Sequence, residues 1–506
     1  MNRLYFHFLL FLLAGFFACN SDFEYYSTNP DNLLSFSTDT LRFDTVLATV
    51  NTPIKVFTVY NNNKKSLLIS SIRLKNYEYS RFKINVDGET GTSFRDVEIR
   101  ANDSLYVFVN IKPDQTGNEQ PFLISDCIEF ITNGRQQNVI LEAFGQDVIV
   151  CKGLTINSDS ILDNRKPFLI YDSLVVSAGT VLDISEGTAF YMQNKAEIIV
   201  RGTLRINGTL ESPVVIRGVR NDLMVGVPYD LIPGQWGGIR FCATSFNNVI
   251  NYARIRNGSF GIEMELSEPS ESKLEMKNVV LTNFKGKLIR SVNCMMNVEN
   301  CELSNSQGAL LDLTGGHYNF IHCTMANYYA SSIDAGWGNS DNQTIILSTA
   351  YYTEETLDKP ARYPILQANF YNTVIWGMKY QNSSQISIEE TGNESFINYY
   401  FENCLFPSKG ATNDDPNNPD IVPTVVNCVI NEDPVFIDTK VAKDDKDKYD
   451  FHYNFKIDSV SPARNKANSQ ISMQLPYDLN GVDRFLDEGP DIGAYEFNNA
   501  INYEQQ

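Results

Sequence analysis

The sequence predicts an all-β protein in two parts: an antiparallel sandwich, then a solenoid of short strands. Three observations carry this. The pattern of VENCELSN (298–305) recurs in MKNVVLTN (276–283), FIHCTMAN (320–327), FYNTVIW (370–376), FENCLF (401–406) and VVNCVI (425–430). The stretch before residue 150 reads instead as brief alternating runs between turn residues. Neither part shows the 3.6-residue apolar period of a helix.

A chain of 506 residues exceeds one ordinary core, so two or three domains are expected. Hydrophobic residues at 43% and charged residues at 20% describe a globular protein. The formal charge of −20 argues against nucleic acid or an anionic membrane surface as partner, since either would need a basic patch. Residues 1–19 carry one Arg, an apolar run and then Ala18-Cys19, with no second hydrophobic span downstream. They resemble a bacterial lipoprotein signal, which implies cleavage before Cys19, acylation of its sulfur and attachment to a membrane. Phe16 and Phe17 depart from the usual residues of such a signal. Asn20-Ser21-Asp22 resembles the export tag of surface lipoproteins in the Bacteroides group, and residues 20–33 read as a linker.

Residues 34–150 contain IKVFTVYN, SLLISSIRL, FKINV, DVEIRA, SLYVFVNIKP, CIEFITNG and NVILEAFG, separated by turn residues. Seven or so strands over this length predict an antiparallel sandwich. The closing NVILEAFGQ resembles the last strand of immunoglobulin-like domains of the hydin type, modules that space or dock.

In the second part the recurring unit is apolar, any, Asn, small, any, apolar. Its marker column holds Tyr252, Asn278, Asn300, His322, Asn372, Asn403 and Asn427, at spacings of 26, 22, 22, 50, 31 and 24. The 50 reads as two turns with one unrecognised. Periods of 20 to 30 residues with period-2 alternation predict stacked coils of short strands, each adding about 4.8 Å. An Asn at a bend can bond the local backbone and the equivalent Asn above and below. Asn278, Asn300, Asn372, Asn403 and Asn427 are therefore a structural ladder, and His322 falls in their register as a rung rather than a catalyst. Cys301, Cys323, Cys404 and Cys428 share the next column with Ala253, Val279 and Thr373, a small buried position where thiols should be free and inert.

Residues 173–218 keep the same logic with Gly-Thr bends at 179–180, 187–188, 202–203 and 208–209. Together with GQWGGIRF (234–241) they resemble the opening coils of right-handed parallel β-helices of the pectate-lyase-like superfamily, with NDLMVGVPYDLIP as a loop thrown out of the stack. DPVFID (433–438), SPARN (461–465), DLNGVDR (478–484) and PDIGAYE (490–496) resemble the C-terminal part of β-helix proteins of the choice-of-anchor Q type. The resemblance implies a β-helix over 151–432 and a segment, 433–498, that closes its open end. Asp478, Arg484 and Glu496 are then groups that stabilise this cap. Six copies of Asp-Ser/Thr-apolar, such as Asp39-Thr40-Leu41, resemble the O-glycosylation acceptor of exported Bacteroides proteins.

Lyases and polygalacturonases of the superfamily act on acidic glycans, and hydrolysis needs paired carboxylates at a fixed separation. The polygalacturonase pattern of Asn-Thr-Asp, Asp-Asp and Gly-His-Gly is absent, as is any zinc spacing. The acidic runs at 413–420 and 443–450 could offer oxygens to calcium but lack the ligand spacing of a known loop, so no cofactor or metal is expected. Function is sought where the repeat is interrupted, between His322 and Asn372. The two inserted loops carry Trp337, Tyr351 and Tyr352 with Asp334 and Asp341, flat rings beside carboxylates suited to sugars. The reading is a monomeric, lipid-anchored protein of the outer membrane or cell surface that binds glycan. The alternatives are a polysaccharide lyase and a structural envelope protein without ligand.

Overall fold

The computed structural model describes residues 26–498, apart from 221–222, 225–226, 330–343, 355–358, 378–384, 390–395, 409–423, 440–441, 444–448 and 451–452. The chain divides into two compact units at residues 148 and 149. It is all-β: an immunoglobulin-like sandwich followed by a right-handed parallel β-helix.

In the first unit, eleven strands among the described residues form a five-stranded and a six-stranded sheet. The excess over the expected seven comes from pieces of two or three residues, such as Ser35–Phe36 and Ser93–Phe94, too short to show a period. Period-2 alternation places Phe57, Val59, Val107, Val109, Ile128, Phe130, Val139 and Leu141 in one core between the sheets. Pairing is antiparallel except where Thr40–Leu47 runs parallel to Arg135–Gln146.

In the second unit successive coils build three parallel walls, of eleven, nine and ten strands among the described residues. In chain order these are wall A, as in Glu302–Ser306, wall B, as in Leu311–Thr314, and wall C, as in Gly316–Ile321. The coils stack in register, so inward columns repeat one side chain above another: Phe320, Phe370 and Phe401 lie with ring centroids 4.9 and 4.7 Å apart and nearly parallel planes. Truncating such a buried ring costs about 3–5 kcal/mol.

Strand pairing corrects the reading of the 50-residue gap. Gly316–Ile321 pairs directly with Ile365–Tyr371, Phe320 opposite Phe370, so His322 and Asn372 are successive rungs of adjacent coils. The extra length is insertion within one coil: 328–344 between walls A and B, and 349–364 between walls B and C.

The bend from wall C to wall A is a single residue in the left-handed region. Tyr252, Asn278, Asn300, His322, Asn372, Asn403 and Asn427 all have φ between 45° and 56°, a conformation that Asn tolerates better than most side chains. Their backbone N–H groups reach the next coil: Asn300 to Ile321 O at 2.9 Å, His322 to Tyr371 O at 3.0 Å and Asn372 to Glu402 O at 3.0 Å. In the coil before Tyr252 the corresponding position is Gly208, outside the left-handed region, and a Cβ there would lie 2.0 Å from Tyr252 O. The loop after residue 218 folds back through Asp230, which pairs with Arg217 at 2.8 Å and Arg256 at 3.0 Å, while Trp236 is fully buried and donates to Arg256 O.

All eight described cysteines are free. Cys301, Cys323 and Cys404 are fully buried, and burial pushes each thiol up, Cys323 to about 12. Cys428 sits half-buried on the last described coil, where the hydrogen bond from Cys404 lowers its thiol. Because Val279 occupies the same column as Cys301, Cys301→Val should fold and shift stability by less than about 1.5 kcal/mol, measured by thermal unfolding.

Candidate functional site

Two regions of the β-helix gather polar side chains that the coil alone does not require. The first is the bend column. Only some of its steps are bridged side chain to side chain: Asn300 Nδ2 donates to Asn278 Oδ1 at 2.7 Å, and Asn372 Nδ2 to His322 Nε2 at 3.0 Å. The remaining groups turn outward to the C-terminal segment. Arg484 donates to Asn300 Oδ1 at 2.6 Å, Asn468 N to Asn372 Oδ1 at 2.7 Å, and Asn403 Nδ2 to Lys466 O at 2.7 Å.

The segment is therefore not the end cap that was expected. It runs along the flank, and Ile492, Ala494 and Tyr495 join Phe436, Phe455 and Ile457 over the outward face of wall A, against Ala326, Val374, Trp376 and Leu405. In its later coils wall A is thus largely apolar on both faces, which permits a second core outside the coil.

Its internal order rests on buried polar groups. Arg484 is fully buried and donates to Glu496 at 2.5 Å, whose oxygens also accept from Asp491 N. Asp478 accepts from the N–H groups of Asn480, Val482 and Glu496. Burial pushes the Asp491 carboxyl up to about 6 and raises Glu496 as well, while Arg484 opposes the latter. Every contact to Glu496 comes from an N–H donor, so the carboxylate faces Arg484 in its ionised form.

His322 is fully buried in this contact. Its Nδ1 lies 3.1 Å from Gly493 O and must carry the proton, while Nε2 accepts from Asn372 and lies 2.8 Å from Ser472 Oγ. Burial, with Arg484 nearby, holds its pKa well below the usual 6.5. A neutral ring without solvent access has no route to act as an acid or base on a ligand.

The second region is wall B beside the insertions. The strand Ile345–Ser348 is flanked on both sides by the inserted loops and pairs with Leu311–Thr314. Outward-facing residues of wall B form a charged column in register: Arg240, Glu263, Arg290, Asp312. Arg240 bonds Glu263 at 2.5 Å, and Lys287 and Arg290 both engage Asp312, Arg290 at 3.9 Å. Glu263 and Asp312 are separated by Arg290, two strand steps of about 4.8 Å, and each is neutralised by a cation. They are not a free carboxylate pair for hydrolysis. Alternating charge along the column stabilises the stack; Asp312 stands one strand from the base of both insertions and Arg290 two, with Lys287 just before the Arg290 strand. The sequence reading missed them because their convergence depends on register between coils.

Of the aromatic candidates, Tyr351 and Tyr352 are described and Asp334, Trp337 and Asp341 lie outside the described residues, as does Cys19. Tyr351 starts a short hairpin, Ala350–Tyr351 with Ala361–Arg362, and is half-buried with its ring 6.4 Å from that of Tyr363. Tyr352 is 52% exposed. The acidic run at 413–420 also lies outside the described residues, as does most of 443–450. Among the described residues no three His, Cys, Asp or Glu side chains converge to hold a metal.

No family model matches the chain. Protein bark beetle of Drosophila melanogaster is 29% identical over 158 residues, 30% of this chain, which spans only 5% of that relative's length. Among solved structures, the catalytic unit of a thermostable GH87 alpha-1,3-glucanase from Streptomyces thermodiastaticus strain HF3-3 matches over 70% of this chain and 80% of its own at 9% identity, with a TM-score of 0.21. A protein of unknown function from Porphyromonas gingivalis W83 matches over 24% of this chain and 51% of its own at 14% identity, with a TM-score of 0.18. Likeness at these levels reaches neither family nor chemistry.

The His322 environment has a pH signature. Its folded pKa is depressed, so below about pH 6.5 the unfolded chain takes up a proton that the folded chain refuses, and this group's contribution is lost as pH falls. His322→Asn should keep the bend, lose the contacts to Gly493 and Ser472, and cost about 1–3 kcal/mol at neutral pH. The difference from wild type should shrink by up to about 2 kcal/mol at pH 5. Thermal unfolding of both proteins across pH 5 to 7.5 checks this; a gap independent of pH contradicts it.

Proposed function

We propose that the chain is a lipid-anchored protein of the cell envelope that binds glycan at the inserted coil. The observation that carries this is the placement of two insertions on either side of one wall B strand, with Tyr351 braced on Tyr363 and Tyr352 open to solvent. Insertions on both flanks of one coil leave its core strands in place, and such interruptions are where rigid repeat scaffolds carry binding residues. Exposed phenol faces provide the stacking platform that sugar rings use, and polar side chains at their edges orient hydroxyl groups. Anchoring through Cys19 would hold such a surface at the membrane, and the acidic surface disfavours polyanionic ligands.

A lyase is the second reading, and one observation favours it. Lys287 and Arg290 place cationic groups on and beside wall B two strands from the inserted strand, both paired with Asp312 on the strand between; a base and a uronate-binding cation are what a lyase would need. Both are tied to Asp312, which is mostly buried and holds them in place.

The two readings separate in one assay. The full chain is incubated with neutral and acidic polysaccharides, with and without calcium, following retention and the ultraviolet absorbance of unsaturated uronates. Retention without product is expected, reduced about tenfold in a Tyr351→Ala/Tyr352→Ala variant. Growing absorbance that disappears in Lys287→Ala would replace the binding reading with the lyase.

A further inference from the structure

The outward face of wall C carries a feature that neither the coil nor the inserted loops explain. Four consecutive strands, Met295–Glu299, Gly316–Ile321, Ile365–Tyr371 and Ile397–Glu402, stack in register, and Asn297, Asn319, Asn369 and Tyr400 form one outward column. Their inward neighbours Val298, Phe320, Phe370 and Phe401 are buried, which fixes the direction of the column. Asn297 is exposed and the others are half-buried. The column repeats at the strand spacing and extends over three steps, about 14 Å.

These amides are not consumed by the fold. Asn297 and Asn319 make no side-chain hydrogen bond to another described residue, although in-register Asn side chains could have bonded one another. Asn369 Nδ2 donates to the Tyr371 hydroxyl at 3.1 Å, which leaves that phenolic proton pointing onward. Tyr400 donates to Glu402 at 3.1 Å, and its ring lies 5.8 Å from that of Tyr371. The surface therefore presents paired donors and acceptors at a constant interval beside two aromatic rings. A hydroxyl group both donates and accepts, and an amide satisfies it in both roles.

Charge selects among polymers. The four strands contain no Lys or Arg, and Glu299 and Glu402 border the column, with Glu275 in its next position. The nearest cation, Lys277, is paired with Glu299 at 3.3 Å, so a polyanion would meet carboxylates here with no unpaired cation to offset its desolvation. A regular, uncharged chain of hydroxyl-bearing rings fits both the repeat and the charge.

We infer that the outward face of wall C is a second binding surface, which takes an extended uncharged polysaccharide lying along the coil axis. It lies on a different wall from Tyr351 and Tyr352 and does not use those residues, although Asn369 belongs to the same coil.

The test is co-sedimentation of the full chain with cellulose, β-1,3-glucan and starch particles, against gels of polygalacturonate and alginate. Wild type should be retained on at least one uncharged polymer. Asn297→Ala/Asn319→Ala/Asn369→Ala should weaken that retention about tenfold or more, with or without Tyr351→Ala/Tyr352→Ala, because the two surfaces share no residue. Asn319→Lys, a single surface change, should weaken it as well and bring in polygalacturonate. The inference is overturned if the triple variant sediments like wild type, if Asn319→Lys changes neither retention, if retention is confined to the acidic gels, or if no uncharged polymer retains the wild type. An effect of the Tyr variant alone would overturn it while leaving the glycan reading of the inserted coil in place.

Discussion

The structure of the β-helix depends on one constraint: the chain must turn from wall C to wall A within a single residue. That residue adopts φ near +50° in seven successive coils, a backbone state that costs most side chains roughly 1–2 kcal/mol. Because the turn is one residue long, the strands on either side keep the same phase in every coil. Inward positions then stack on inward positions, which is why Phe320, Phe370 and Phe401 lie ring over ring and why the cysteine column is buried. A turn of two residues in one coil would reverse the phase of wall A and expose its core face.

The same constraint creates the docking site of the C-terminal segment. Asn is placed in the bend for its backbone, and its amide is left at the surface with hydrogen-bonding capacity to spare. The segment uses that capacity with Arg484, Asn468 and Lys466, and covers the apolar outer face of wall A in doing so. His322 shows the two roles joined, since its backbone makes the bend while its ring meets Gly493 and Ser472. Burying Arg484 is tolerable only because Glu496 and Asn300 both receive it.

How much of this was legible in the sequence follows from the range of each interaction. The Asn marker, the small column after it and the alternating front strands are local patterns, and they gave the fold class. The 50-residue gap was misread because insertion length and coil number look alike until strands are paired. The C-terminal segment was misplaced for a related reason: PDIGAYE shows that a polar cluster is buried, but nothing in its own residues says that the partner is Asn300, 184 positions away from Arg484. The charged column on wall B and the amide column on wall C were invisible as single residues. Arg290 and Asp312, or Asn319 and Asn369, become neighbours only through register. The aromatic loop candidates were found by the interruption of the repeat, a signal of location and not of chemistry.

The central claim is that the bend column serves as the docking ladder of the C-terminal segment as well as a turn. Hydrogen exchange of the full chain carrying Asn300→Gly tests it most directly, because Gly accepts the left-handed bend while removing the amide that receives Arg484. The account predicts faster exchange across residues 478–497 with walls A, B and C still protected. Unchanged protection of that segment would show that Asn300 is a turn residue alone and would contradict the account.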